Sequence, residues 1–200
     1  MDAADPKPGA SSSPGLQIQA LWNAAVEPAD LEPGLSTAQA LAFGVNFRIH
    51  LGKALIAAWE TSKAVVKGTA AAHAPFAWWA WAEVGAEAIA AAHSIFSSLV
   101  QRMRPIDYVT SVILSVNPAG LTEAELKTAV EAFLQDPDAV QLSWHFGMSE
   151  GLIKRAREVV TFPDWLPDTL KQLQKDDFFV RSGEKLTFKS HNYDIRWKAD

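Results

Sequence analysis

Gly147 and Ser149, two residues apart and set among apolar positions, constrain what this chain can fold into more than any other feature. Glycine readily takes the left-handed conformation that a helix C-terminus often needs, and a serine at an N-cap accepts hydrogen bonds from the amides of the helix that follows. Phe146-Gly147-Met148-Ser149, followed by Glu150 to Glu158, therefore predicts a tight turn opening onto a short helix. Leu142 and Phe146 fall on the inner face of the helix before the turn, while Met148, Leu152, Ile153 and Ala156 pack the turn and the second helix onto it. That arrangement leaves Lys154, Arg155 and Arg157 on an outward, basic face.

Ala139 to Val160 thus resembles a helix-turn-helix, the motif whose second helix enters the major groove of DNA. The resemblance implies non-enzymatic, regulatory DNA binding, with Ser149, Lys154, Arg155 and Arg157 at the nucleic acid. Two departures from the family pattern are visible. Ser143 stands where a small alanine usually faces the partner helix, and Trp144-His145 places two bulky residues just ahead of the turn. Against the DNA reading stands a plainer one, in which two packed helices present a solvated basic face.

Composition narrows the field. Two hundred residues, 48% of them hydrophobic and 20% charged, suffice for one good core or two small ones. A formal net charge of −5 gives no global basic field, so any nucleic-acid binding has to come from a local patch. The chain has no cysteine, which removes disulfides, thiolate nucleophiles and cysteine-based metal sites. The five histidines are scattered, with no i, i+4 pair to put two imidazoles on one helix face. Gly-rich phosphate loops, nucleophile elbows and cofactor fingerprints are missing too, so neither catalysis nor a cofactor is expected. The acidic start Met-Asp-Ala-Ala-Asp lacks the features of a secretion signal, which makes the cytoplasm the expected location. Glu83, Glu87 and His93 interrupt the one long apolar run, so no transmembrane segment is expected.

The first half reads as helical. Met1 to Gly15, rich in Ala, Pro, Gly and Ser, is expected to be a disordered tail. Leu16 to Val26 allows a short amphipathic helix, and Ser36-Thr37 caps a longer one from about Ala38 to Lys67, with Leu41, Val45, Ile49, Leu55, Trp59 and Val66 at helical spacing and Gly68 as its stop. Pro75 to Met103 begins with Trp78, Trp79 and Trp81 and continues as an alanine-rich helix. These tryptophans either form a partner-docking or ligand-binding wall or belong to the core of a helix pair. Residues 16–103 together suit docking on a protein partner or self-association, because a layer of two or three such helices buries its apolar surface poorly alone.

Positive charge concentrates in the second half, with 13 of the 18 Lys and Arg residues after position 100. Pro105 marks a boundary. Ile106 to Val116 forms a helix or buried segment, Asn117-Pro118-Ala119-Gly120 a turn, and Thr122 with Glu125 a capping box for a helix to about Leu134. Leu166 to Lys175 is a helix with Pro167 in its first turn. It leads into two β-prone runs, Phe178 to Arg181 and Leu186 to Lys189, around a Gly183 turn. A helix running into such a hairpin resembles the end of a winged-helix domain, here residues 104–200, and implies that Arg181 and Lys185 of the wing touch the flanking DNA backbone. It also implies that the recognition helix is Leu166 to Lys175 rather than Gly151 to Val160, and both cannot hold that role. Asp168, Lys171, Lys175, Asp176 and Asp177 give the wing-adjacent helix a mixed face, which leaves a second function open: an adaptor or assembly subunit that uses a winged-helix-like module and the tryptophan-rich helices to bind protein. The expected fold is mainly α, a helical N-terminal region followed by a winged-helix-like domain with a small β-hairpin.

Overall fold

A computed structural model describes residues 14–28, 46–67 and 86–196. The expected docking residues Trp78, Trp79 and Trp81, the cap at Ser36-Thr37 and the stop at Gly68 lie outside the described residues, as does most of the expected tail.

The described chain is mainly helical with small antiparallel sheets. Helix α1, Pro14–Ala25, starts two residues inside the expected tail, because proline's fixed φ suits a first helical turn. Strand β1, Val26–Pro28, follows directly. The expected long helix is corrected at its middle: among the described residues Asn46–His50 is strand β2 and Leu51–Val66 is helix α2. Phe47 and Ile49 alternate inward and are buried, while Arg48 and His50 face outward, a two-residue period that serves a strand as well as Ile49 served the helical spacing. Pairing decides the matter. β2 lies between β1 and β6, Asn192–Arg196, with Arg48 opposite Asp194 and His50 opposite Asn192.

Helix α3, Ala86–Arg102, is followed by α4, Pro105–Ser115, which has proline at its start and every residue from Ile106 to Ser115 buried. Helix α4 is the central rod, packed against α2 and α3 before it and against four of the elements that follow it, Glu123–Gln135, Glu150–Val159, Trp165–Lys175 and Lys185–Phe188. At its entrance Arg104 clamps the buried Asp107 carboxylate with two bonds, of 2.7 and 2.8 Å. The turn at Asn117 to Gly120 closes as expected, Gly120 N–H donating to the Asn117 carbonyl at 2.9 Å with φ +75°. Strand β3, Leu121–Thr122, runs into α5, Glu123–Gln135, where both bonds of the Thr122–Glu125 capping box are made.

Then come α6, Ala139–Ser143, a 3-10 turn at Trp144–Phe146, α7, Glu150–Val159, and α8, Trp165–Lys175. The hairpin β4, Phe179–Ser182, and β5, Lys185–Phe188, completes a second sheet in the order β3-β5-β4. At Met103 and Arg104, where the second region was expected to begin, the chain bends between α3 and α4. β1 and β2 from the first half pair with β6 from the last ten residues, and one core cluster runs from Ile18 to Leu186.

Candidate functional site

The turn between α6 and α7 is held from inside the protein. Phe146 is buried, its ring centroid 5.8 Å from that of Trp59 on α2, and its carbonyl accepts the Tyr108 hydroxyl at 2.8 Å. Burial pushes the Tyr108 phenol far above its ordinary range, so it remains a donor. Gly147 sits at φ 76°, its N–H donating to the Trp144 carbonyl at 3.0 Å, as a left-handed helix end requires. Leu142, Met148, Ile153 and Ala156 are buried and Leu152 is half-buried, the inner face expected for the turn. Ser149 occupies the N-cap position of α7 in extended backbone, but its hydroxyl makes no cap bond there. The expected capping role is corrected to one of position only. The Ser149 carbonyl accepts the first helical amides, those of Leu152 and Ile153.

Behind the turn, His93 on α3 and His145 are half-buried. Burial first, and then the neighbouring His145, lowers the His93 imidazole to about 4. Burial lowers His145 as well. Both are therefore neutral at pH 7 and belong to the packing that supports the turn.

The structure divides the expected cations into different classes. Lys154 and Arg155 are exposed on α7. Arg157 is half-buried and donates to the carbonyls of Leu134 at 2.6 Å and Asp136 at 3.3 Å, closing the C-terminal end of α5. Its guanidinium meets the carbonyls that a helix end leaves unbonded and the negative end of the helix dipole. In the hairpin, Arg181 is paired with Glu123 at 2.5 Å, and Lys185 reaches the Ala119 carbonyl at 3.4 Å. Hydrogen bonds from the Thr122 backbone and hydroxyl, with the Lys185 charge adding to them, hold the Glu125 carboxyl below its usual range.

Helix α8 shows the opposite pattern. The acids on it and in the turn after it are engaged: Asp168 stands 4.0 Å from Arg104, Asp176 accepts the Gln172 amide, and Asp177 pairs with Lys189. Lys171 and Lys175 join Arg102 along a cleft of about 600 Å³ between α8 and the bend before α4.

Trp144 is the feature that sequence reasoning passed over. It is 73% exposed at the tip of the 3-10 turn, beside a groove of about 410 Å³ that Pro137, Asp138, Val140, Ser149 and Glu150 also line. The available signal was the departure from the helix-turn-helix pattern at Trp144-His145: two bulky residues where the inner face is already filled by Leu142 and Phe146. One of them has to point outward.

Among the described residues no group of three or more His, Asp or Glu side chains is placed to hold a metal ion, and no helix is long and apolar enough to cross a membrane. Comparison with protein-family models, with curated proteins and with solved structures finds no match to this chain.

Proposed function

We propose that this protein is a protein-interaction module, an adaptor or assembly subunit that docks partners at the turn between α6 and α7. Trp144 carries this reading. A large ring exposed on a turn fixed by Phe146, Gly147 and Tyr108 offers apolar area on a surface already ordered, so a partner gains burial at little entropic cost. Tryptophans in such positions dominate binding energy where proteins meet. The region from Arg104 supplies a winged-helix-like scaffold for the surface, an assignment supported by the succession α4, β3, α5, then α8 and the β4–β5 hairpin, with β5 central in the sheet. Engagement of Arg157 and Arg181 within the fold favours this reading over DNA binding, as does the net charge of −5.

A nucleic-acid role retains one specific support, the exposed Lys154 and Arg155 together with the cations of the α8 cleft. Photo-crosslinking residues placed at positions 144 and 155 separate the two. Protein adducts formed in the producing cells from position 144, with no duplex-DNA binding in a salt series, uphold the interaction module. Nucleic-acid adducts from position 155, with DNA affinity that falls steeply with salt and is lost in a Lys154→Ala, Arg155→Ala variant, replace it.

A further inference from the structure

We infer that the groove beside Trp144 receives a cationic side chain of a partner protein, an arginine or lysine stacked on the indole with Asp138 and Glu150 as its counter-charges. The inference rests on the interaction reading above and names the chemistry of the partner. An exposed indole has an electron-rich face that attracts guanidinium and ammonium groups. Asp138 and Glu150 are both exposed in the groove, and neither has an ion pair to a described residue. No lysine or arginine lines the groove. Two carboxylates without an ion pair and an exposed indole thus border one groove, and a cation is the ligand that suits all three groups.

The backbone keeps the acids in place. Asp138 N–H donates to the Asp136 carboxylate at 2.8 Å, which holds the start of α6, and Glu150 opens the first turn of α7, where the helix dipole favours an acid. In a helix-turn-helix that reads DNA, the start of the second helix is where a phosphate is welcome. Here Glu150 stands at that point with Asp138 in the same groove, so an anionic ligand meets repulsion. Charge complementarity therefore favours a basic segment over an acidic or phosphate-bearing one. Arginine suits the site better than lysine, because its planar head can stack on a ring while its edge still presents donors to carboxylates.

The full chain serves for the test. The ligand is a short capped peptide of alternating glycine and arginine, and the control replaces each arginine with citrulline, a neutral group of nearly the same shape. The Trp144 indole N–H resonance, identified by its loss in Trp144→Phe, reports binding, and circular dichroism checks that each variant folds. The expected result is a saturable shift with the arginine peptide, none with the citrulline peptide, loss of binding in Trp144→Leu, and affinity weakened roughly tenfold in Asp138→Asn, Glu150→Gln. Equal binding of both peptides, or arginine binding undiminished in the double variant, overturns the cationic preference. If that happens while position 144 still crosslinks to protein, the interaction module stands with a partner of another chemistry. If the crosslinks fail as well, both readings fall.

Discussion

Arg157 shows how a residue that reads as a ligand contact can be an internal fastener. Its guanidinium closes the end of α5 through Leu134 and Asp136, so Arg157→Ala leaves two carbonyls without their charged donor. Hydrogen bonds from a charged group contribute about 1.5–3 kcal/mol, and urea unfolding of Arg157→Ala is expected to show a loss of about that size. Lys154→Ala and Arg155→Ala, both exposed, are expected to change stability by no more than about 0.5 kcal/mol in the same assay. Equal losses from all three substitutions would remove the distinction.

His93 makes a second prediction at this scale. Its folded value of about 4 lies below the ordinary 6.5, so the unfolded chain binds the proton more readily. The stabilisation it contributes is complete above pH 6.5 and is lost as pH falls toward 4, a decline of up to about 3 kcal/mol. Unfolding midpoints measured from pH 7 to pH 4.5 should fall in the native protein and fall less in His93→Gln. Parallel curves for the two proteins would show that other groups control this window.

At the scale of elements, local and distant partners separate what reads easily from what does not. The Asn117 to Gly120 turn, the Thr122–Glu125 box and the hairpin around Gly183 were legible because every partner sits within a few residues. Gly120 is required twice over. Its φ is +75°, and an added Cβ would lie 2.8 Å from Thr187 Oγ1 and 3.0 Å from the Leu186 carbonyl. Gly120→Ala is therefore expected to cost about 1–3 kcal/mol in thermal unfolding, whereas Gly183→Ala, with nothing within 4 Å, costs only the backbone strain. Strand β2 was illegible for the opposite reason, since both its partners are distant in sequence, β1 at Val26–Pro28 and β6 at Asn192–Arg196. The start of α2 is settled by the same distant segment: Leu51 N–H donates to the His191 carbonyl at 2.9 Å and Gly52 N–H to Ser190 Oγ at 3.1 Å.

For the whole molecule, segments far apart in the chain depend on one another. Trp59 packs on Phe133 and Phe146, α2 lies against α4, and β6 needs β2. A fragment of residues 104–200 uncovers those rings and orphans β6, so it is expected to lack a native near-ultraviolet circular dichroism signal, while the full chain unfolds in one cooperative transition. A cooperative melt from the fragment alone would restore two independent units.

Sequence by itself determined the helical class, the Thr122–Glu125 cap, the turns at Gly120 and Gly183 and the inner face around Gly147, because hydrophobic period and capping chemistry act over a few residues. Tertiary structure alone decided which charges are left for a partner. Arg157 and Lys154 are both basic residues of α7, and only the position of α5 makes one of them an internal donor and leaves the other exposed. It likewise decided that Trp144, rather than His145, faces outward: Trp144 is 73% exposed, whereas His145 is half-buried beside His93 of α3, which only the packing brings to the turn.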